Sequence, residues 1–138
     1  MKDKKYIRAG FFEDFKGEDS ILISVDIFGL TELEMVFDRL AKSETEINIS
    51  KLKYIDKVYQ IPIKMRATEK NYGLVNKNGK YEWCLTKKKW DKFRQQVIHL
   101  YLNGTSGHLY LDSESKDNKD LQINISLSEY DKSFWAKK

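Results

Sequence analysis

The sequence has few of the residues that usually build a recognisable small site. It holds one cysteine, Cys84, which excludes an internal disulfide and a cysteine-rich zinc site. One proline and seven scattered glycines make neither a flexible linker nor a phosphate-binding glycine loop. The longest aliphatic run is Ile21-Leu22-Ile23, so we expect no membrane-spanning helix and no secretion signal. A single domain over residues 1–138, in a reducing cytoplasm, is the expectation that follows.

Charge is abundant and unevenly spread. Charged residues make up 33% of the chain, and the formal net charge is +4. Residues 1–50 carry a net charge of −4, residues 51–100 of +9 and residues 101–138 of −1. The positive total alone would suggest nucleic acid, but such segregation is also typical of a protein that selects one protein partner by charge.

Hydrophobic periodicity predicts an α+β fold with the element order β-α-β-β-β-β-α-β-β. Apolar side chains at helical spacing predict helices at 31–43, beginning with a Thr31/Glu34 capping box, and at 87–102. Asn78-Gly79 between two apolar runs predicts a hairpin with a type I′ turn. Alternating apolar and polar residues predict the remaining strands at 21–28, 46–52, 57–68, 108–112 and 121–128.

Strands that alternate in this way belong to a sheet that is covered on one side. We therefore expect one largely antiparallel sheet with both amphipathic helices packed on the same face. Pro62 predicts an edge strand or a bulge within the third strand, because proline cannot donate a hydrogen bond to the sheet. Residues 131–138 are expected to form a loose tail, anchored at most by Phe134 and Trp135.

Catalytic candidates are sparse. His108 and Asp112 share one face of a predicted strand, where they could act as a base and its orienting group. No serine or cysteine nucleophile accompanies them in a recognisable motif, so a small hydrolase would need a deep pocket with a nucleophile in reach. No metal-ligand spacing is present either, and we predict a protein without enzymatic activity, cofactor or metal.

Three consecutive lysines, residues 87–89, occupy the first turn of the second helix, where the helix dipole disfavours positive charge. They indicate either a solvated helix start or contact with an anion or an acidic partner. The same region is the best candidate for nucleic-acid or polyanion binding, although no RNA- or DNA-binding signature accompanies it. The candidate basic surface comprises Lys64, Arg66, Lys87, Lys88, Lys89 and Arg94.

A pattern in the C-terminal half resembles a known family. Its parts are Trp83-Cys84-Leu85-Thr86 before the second helix, Gly107-His108-Leu109-Tyr110-Leu111-Asp112 after it, and the strand end Ser126-Leu127-Ser128-Glu129-Tyr130. Residues 83–130 resemble small cytosolic immunity proteins of bacterial contact-dependent growth inhibition and related polymorphic toxin systems. The resemblance implies a binding protein that docks on a toxin domain and neutralises it. It implies no role in a site for His108, which we expect to make a cross-strand contact that stabilises the fold.

The charge distribution leaves the binding surface of such a protein open. Nuclease toxins tend to be basic and their inhibitors acidic, whereas this chain is net positive. Either the acidic first third faces a basic toxin, or the 51–100 segment faces an acidic one. The leading hypothesis is thus a toxin-binding immunity protein, and the alternative is a nucleic-acid or polyanion-binding module. The acidic candidates are Glu13, Asp14, Glu18 and Asp19.

Overall fold

The computed structural model describes residues 5–15, 17–104, 106–115 and 120–137. Its mixed content of helices and strands confirms the α+β class. A 3₁₀ helix spans Ile49–Lys51. The elements are β1 (Ile7–Phe15), β2 (Glu18–Val25), α1 (Ile27–Lys42), β3 (Glu46–Asn48), β4 (Ile63–Ala67), β5 (Gly73–Lys77), β6 (Lys80–Leu85), α2 (Lys87–Asn103), β7 (Gly107–Leu111), β8 (Gln122–Leu127) and α3 (Lys132–Ala136).

The strands form two four-stranded sheets, so the prediction of one sheet is wrong. Sheet A has the order β1-β2-β8-β7, and sheet B has the order β3-β4-β6-β5. In each sheet the two central strands are parallel, and each outer strand is antiparallel to its neighbour. The single-sheet expectation failed because alternation within a strand shows which face is buried but not which strand lies beside it.

The two halves of the chain repeat one connectivity. In the first half β1 and β2 join sheet A, α1 follows, and β3 and β4 join sheet B. In the second half β5 and β6 join sheet B, α2 follows, and β7 and β8 join sheet A. The topology therefore has a twofold symmetry that exchanges α1 and α2. The two helices pack against each other, with the start of α1 beside the end of α2.

One hydrophobic core joins the two helices to the inner faces of both sheets. Aromatic rings fill its centre: Trp83 of sheet B lies 4.9 Å from Trp90 of α2, and Phe37 of α1 lies 5.2 Å from Trp90, measured between ring centroids. The indole N–H of Trp90 donates to the main-chain carbonyl of Arg66 at 2.9 Å, which fixes the start of α2 against sheet B.

α3 covers the part of the outer face of sheet A that β1 forms, so the described residues 131–137 are not a loose tail, and the anchors are the expected Phe134 and Trp135. Trp135 is 2% exposed and packs edge-on against Phe12 of β1, with 5.5 Å between ring centroids. Phe134 stacks on the same Phe12 ring at 5.6 Å. Burial on both faces explains why β1 was not predicted. Its residues Ile7–Gly10 are buried on both faces, so the strand has no alternating pattern.

α1 begins four residues before the predicted start, and the predicted capping box is absent. Asp26 is the N-cap, and its carboxylate accepts the amide N–H of Gly29 at 2.9 Å and of Tyr6 at 3.1 Å. The hydroxyl of Thr31 donates instead to the carbonyl of Ile27. Asp26 lies within the alternating run of the preceding strand, and this concealed its capping role.

Several local predictions are confirmed. Asn78 and Gly79 have φ values of +56° and +88°, as a type I′ turn requires between β5 and β6. The hydroxyl of Thr86 caps α2, which ends at Asn103 before Gly104. Pro62, however, precedes β4, which lies inside sheet B rather than at its edge. The strands predicted at 57–68 and 46–52 are accordingly shorter.

Candidate functional site

The four acidic candidates lie together at the tip of the β1–β2 hairpin. Glu13, Asp14, Glu18 and Asp19 are all exposed there. The tip contains a register shift between Phe12 and Phe15, and Asp14 adopts a φ of +50° within it. Asp19 accepts the amide N–H of Asp14 at 2.9 Å, which holds the irregular turn together. The structure thus gathers residues from two strand ends into one acidic hairpin tip.

Negative charge at the hairpin tip is not compensated by the described part of the chain. None of its four carboxylates forms an ion pair with a described lysine or arginine side chain. Exposed carboxylates that have no ion-pair partner among the described residues attract a partner of opposite sign and raise the rate of encounter.

A groove of about 330 Å³ extends the acidic tip onto sheet A. Glu18, Asp112 and Tyr110 line it, and Tyr110 is 42% exposed. Asp120 also borders this groove, where it accepts the amide N–H of Leu74 at 2.9 Å and the hydroxyl of Ser113. The groove therefore combines acidic groups with one accessible aromatic ring. Sequence reasoning missed it, because its two walls are far apart along the chain.

The six basic candidates do not form one surface. Lys64 and Arg66 project from the outer face of sheet B, where both lie near Glu46, at 3.9 and 3.7 Å. A terminal nitrogen of Arg66 also lies 3.8 Å from Glu82. Lys64 and Arg66 thus belong to a network of surface ion pairs in which Glu46 and Glu82 supply the negative charges. These ion pairs offset part of the charge that Lys64 and Arg66 would bring to a basic patch.

Arg94 lies between the two helices. Its Nε atom is 2.7 Å from Glu34 and 3.4 Å from Asp38, and its Nη1 atom is 3.4 Å from Asp91. The hydrogen bond to Glu34 raises the pKa of Arg94 above its ordinary value. On the other side of the cluster, the hydrogen bond from Lys42 lowers the pKa of Asp38. Arg94 therefore joins α1 to α2 rather than presenting its charge to a partner.

The three lysines at the start of α2 differ in exposure. Lys87 and Lys88 are exposed, whereas Lys89 is 6% exposed and its ammonium lies 3.0 Å from the carboxylate of Glu114. Lys92 reaches the same carboxylate at 3.4 Å. The hydrogen bond from Lys89, with that from Lys92, lowers the pKa of Glu114. Glu114 thus offsets part of the positive charge that the sequence places at this helix start, and no sequence signal connects it to α2.

The acidic groove and the lysine-bearing helix start are neighbours. Lys88 and Lys92 line a cavity of about 500 Å³ that Glu114 also borders. Asp112, two residues earlier, lines the acidic groove. The segment 112–114 therefore separates an acidic surface from a partly neutralised basic one at the same end of the molecule.

Residues of the C-terminal pattern contact one another. Nδ1 of His108 lies 3.1 Å from one carboxylate oxygen of Glu129, and the hydroxyl of Ser126 donates to the other at 2.5 Å. This confirms the expected structural contact of His108. Asp112 instead accepts the amide N–H of Glu114, so the two residues considered for a hydrolase bind different partners. The pattern thus ties β7 to the end of β8.

Within the described ranges, no group of three or more histidine, cysteine, aspartate or glutamate side chains is arranged to hold a metal ion. Nor does any helix there have the length and apolarity to cross a membrane. Comparison with known proteins gave no matching family model, no significantly similar curated protein and no significantly similar solved structure.

Proposed function

We propose that this protein is an immunity protein, which binds a bacterial toxin domain in the cytoplasm of the toxin-producing cell and neutralises it by complex formation. The observation that carries the proposal is the acidic hairpin tip, whose carboxylates have no described basic partner. The resemblance of residues 83–130 to immunity proteins supports the same function.

The acidic side is the better binding surface of the two alternatives. Arg94 and Lys89 already form close ion pairs inside the fold, so a partner would have to compete with Glu34 and Glu114 for them. The carboxylates of the hairpin tip require no such exchange with any described lysine or arginine side chain. Beside the tip, Tyr110 supplies an exposed aromatic side chain, a residue type that often provides much of the binding energy in protein interfaces. Charge would then steer a basic toxin domain, and the groove would receive it.

Co-expression with the product of the adjacent upstream reading frame tests the proposal. We expect a complex that survives size-exclusion chromatography and a restored growth rate in cells that carry the toxin domain. Absence of both the complex and the protection would reject the function.

Charge reversal locates the surface. Glu13→Lys and Glu18→Lys are expected to weaken toxin binding at least about tenfold and to slow association most at low salt. Glu69→Lys is the matched control, because Glu69 is exposed, makes no described side-chain contact and undergoes the same change of charge. Equal losses in all three variants would show a general charge effect and would contradict binding at the hairpin tip.

Polyanion binding is the second candidate, favoured by the exposed Lys87 and Lys88 and by Lys92 beside the 500 Å³ cavity. It predicts retention on heparin at low salt and elution as salt rises. A Lys87→Glu/Lys88→Glu double variant should then elute earlier than the wild type. Passage of the wild-type protein through heparin without retention would remove this candidate.

A further inference from the structure

Large exposed apolar side chains concentrate on the outer face of the helix pair. Phe28 and Met35 of α1 are 46% and 47% exposed, and Tyr101 and Leu102 of α2 are 49% and 71% exposed. On α1, Phe28, Thr31 and Met35 are spaced three and four residues apart and therefore follow one line along the helix. We call this surface, formed by Phe28, Thr31, Met35, Ile98, Tyr101 and Leu102, the helix-pair face.

A shallow groove lies within the helix-pair face. Its volume is about 290 Å³, and Thr31 forms one wall while Ile98, Tyr101 and Leu102 form the other. Glu34 is the one charged residue among those that line it. The lining of this groove is thus mainly apolar. The groove beside the tip of the β1–β2 hairpin is lined by acidic residues instead.

Charges in the Arg94 cluster beside this face are paired within one molecule. Arg94 contacts Glu34 and Asp38, and Lys42 contacts Asp38 at 2.9 Å. A strongly charged partner would find no unpaired group of opposite sign in this cluster. A surface that carries the same, nearly balanced charges can lie against it with little repulsion, and this favours an identical face over a basic or acidic protein.

The exposed apolar area also matches an interface between two copies. At about 200 Å² for a large side chain, the exposed fractions of the four residues leave about 400 Å² of mainly apolar surface. A standard interface buries about 800 Å² per partner, of which about 57%, or roughly 450 Å², is apolar. We propose that the helix-pair face is a dimer interface, in which the α1–α2 pair of one chain packs on the α1–α2 pair of a second copy. This inference does not depend on the proposed toxin-binding function.

Sedimentation equilibrium over a range of protein concentrations tests the dimer. We expect the mass to rise toward twice the 16.3 kDa of one chain as concentration increases. Leu102→Glu and Met35→Glu place like charges in the interface and are expected to raise the dimer dissociation constant by more than about tenfold. Both side chains are about half exposed or more, so circular dichroism should show an unchanged fold.

Val58→Glu is the matched control, because Val58 is 75% exposed and lies outside the helix-pair face. It should leave the dissociation constant unchanged. A wild-type mass of one chain at every concentration would overturn the proposal, as would a dimer that Leu102→Glu and Met35→Glu leave intact. A monomer whose toxin binding is lost in these two variants would assign the face to the toxin instead.

Discussion

The ion pair between Arg8 and Asp56 is expected to contribute strongly to stability. Arg8 of β1 is 3% exposed, and its Nε atom donates to the Asp56 carboxylate at 2.9 Å. Around the pair, Ile7 donates its amide N–H to the carbonyl of Tyr54, and Asp56 donates its own to the carbonyl of Ile7. The pair therefore fixes the loop before β4 against the edge of sheet A.

Asp56→Asn removes the charge while it keeps the shape and the oxygen that accepts the amide of Val58. Breaking a buried ion pair from one side costs about 3–5 kcal/mol. Asp56 has a side-chain exposure of 17%, so we expect about 3 kcal/mol. With an unfolding entropy of about 2.1 cal/mol/K per residue, the melting temperature should fall by about 10 °C.

Urea denaturation of four chains measures the effect: wild type, Asp56→Asn, Arg8→Met and the double variant. The double variant is expected to be more stable than the sum of the single losses predicts, because it removes both charges together. Lys42→Met is the control, since Lys42 pairs with Asp38 but its side chain is 70% exposed, and its loss should cost less than about 1 kcal/mol. A loss below about 1 kcal/mol in Asp56→Asn would refute the argument.

The contribution of Asp56 to the free energy of unfolding should also depend on pH. Burial raises its pKa, but the hydrogen bonds from Arg8 and from the amides of Val58 and Tyr59 outweigh burial, and the pKa lies below its ordinary value. A carboxyl whose pKa is lower in the folded state adds stability that is fully present above the unfolded value, about 4, and lost as pH falls through the folded value. The difference in unfolding free energy between wild type and Asp56→Asn should therefore shrink below about pH 4, and a constant difference would contradict the pair.

Three further predictions concern burial and backbone strain. Trp135→Ala should lower the free energy of unfolding by about 3–5 kcal/mol in urea denaturation, because this α3 side chain is 2% exposed and packs against sheet A, and a loss below about 1 kcal/mol would show that α3 is not docked. Gly73→Ala should lower the free energy of unfolding, measured by urea denaturation, more than Gly79→Ala does. Both glycines have a positive φ, +85° and +88°, but only at Gly73 would a Cβ atom clash with the carboxylate of Asp120. Equal losses of stability in the two variants would contradict this placement. Burial raises the pKa of the Cys84 thiol, so it should react with a thiol reagent only after unfolding, and rapid labelling of the native protein would contradict its burial.

Elements with a local signal were predictable. The Asn78-Gly79 turn and the amphipathic α2 depend on residues within a few positions of each other, and both are confirmed. β1 has no such signal, because Arg8 and Gly10 are buried on one face as Ile7 and Ala9 are on the other. The division into two sheets was equally hidden, since it depends on which distant strands become neighbours.

In the candidate site, too, contacts between residues close in sequence were predictable and contacts between distant residues were not. That four carboxylates would gather at the β1–β2 tip could have followed from recognising β1, since the two strands form a hairpin. That Arg94 would pair with Glu34, 60 residues away, could not. Nor could the pairing of Lys89 with Glu114, which lies beyond the whole of α2 and β7. The residue types were visible in sequence, but their partners decided which charges stayed available.

Net charge is consequently a poor guide to the charge of any one surface of this protein. At physiological salt, charges more than about 8 Å apart are largely screened, so a bound partner responds to the groups near its own contact surface. The six basic candidates of residues 51–100 are divided among an outer sheet face, an interhelical ion pair and a helix start that Glu114 partly offsets. The four carboxylates of the acidic hairpin tip form no ion pair with a described lysine or arginine side chain. A chain with a net charge of +4 can therefore carry a locally negative surface, so its composition does not argue against the proposed binding of a basic protein.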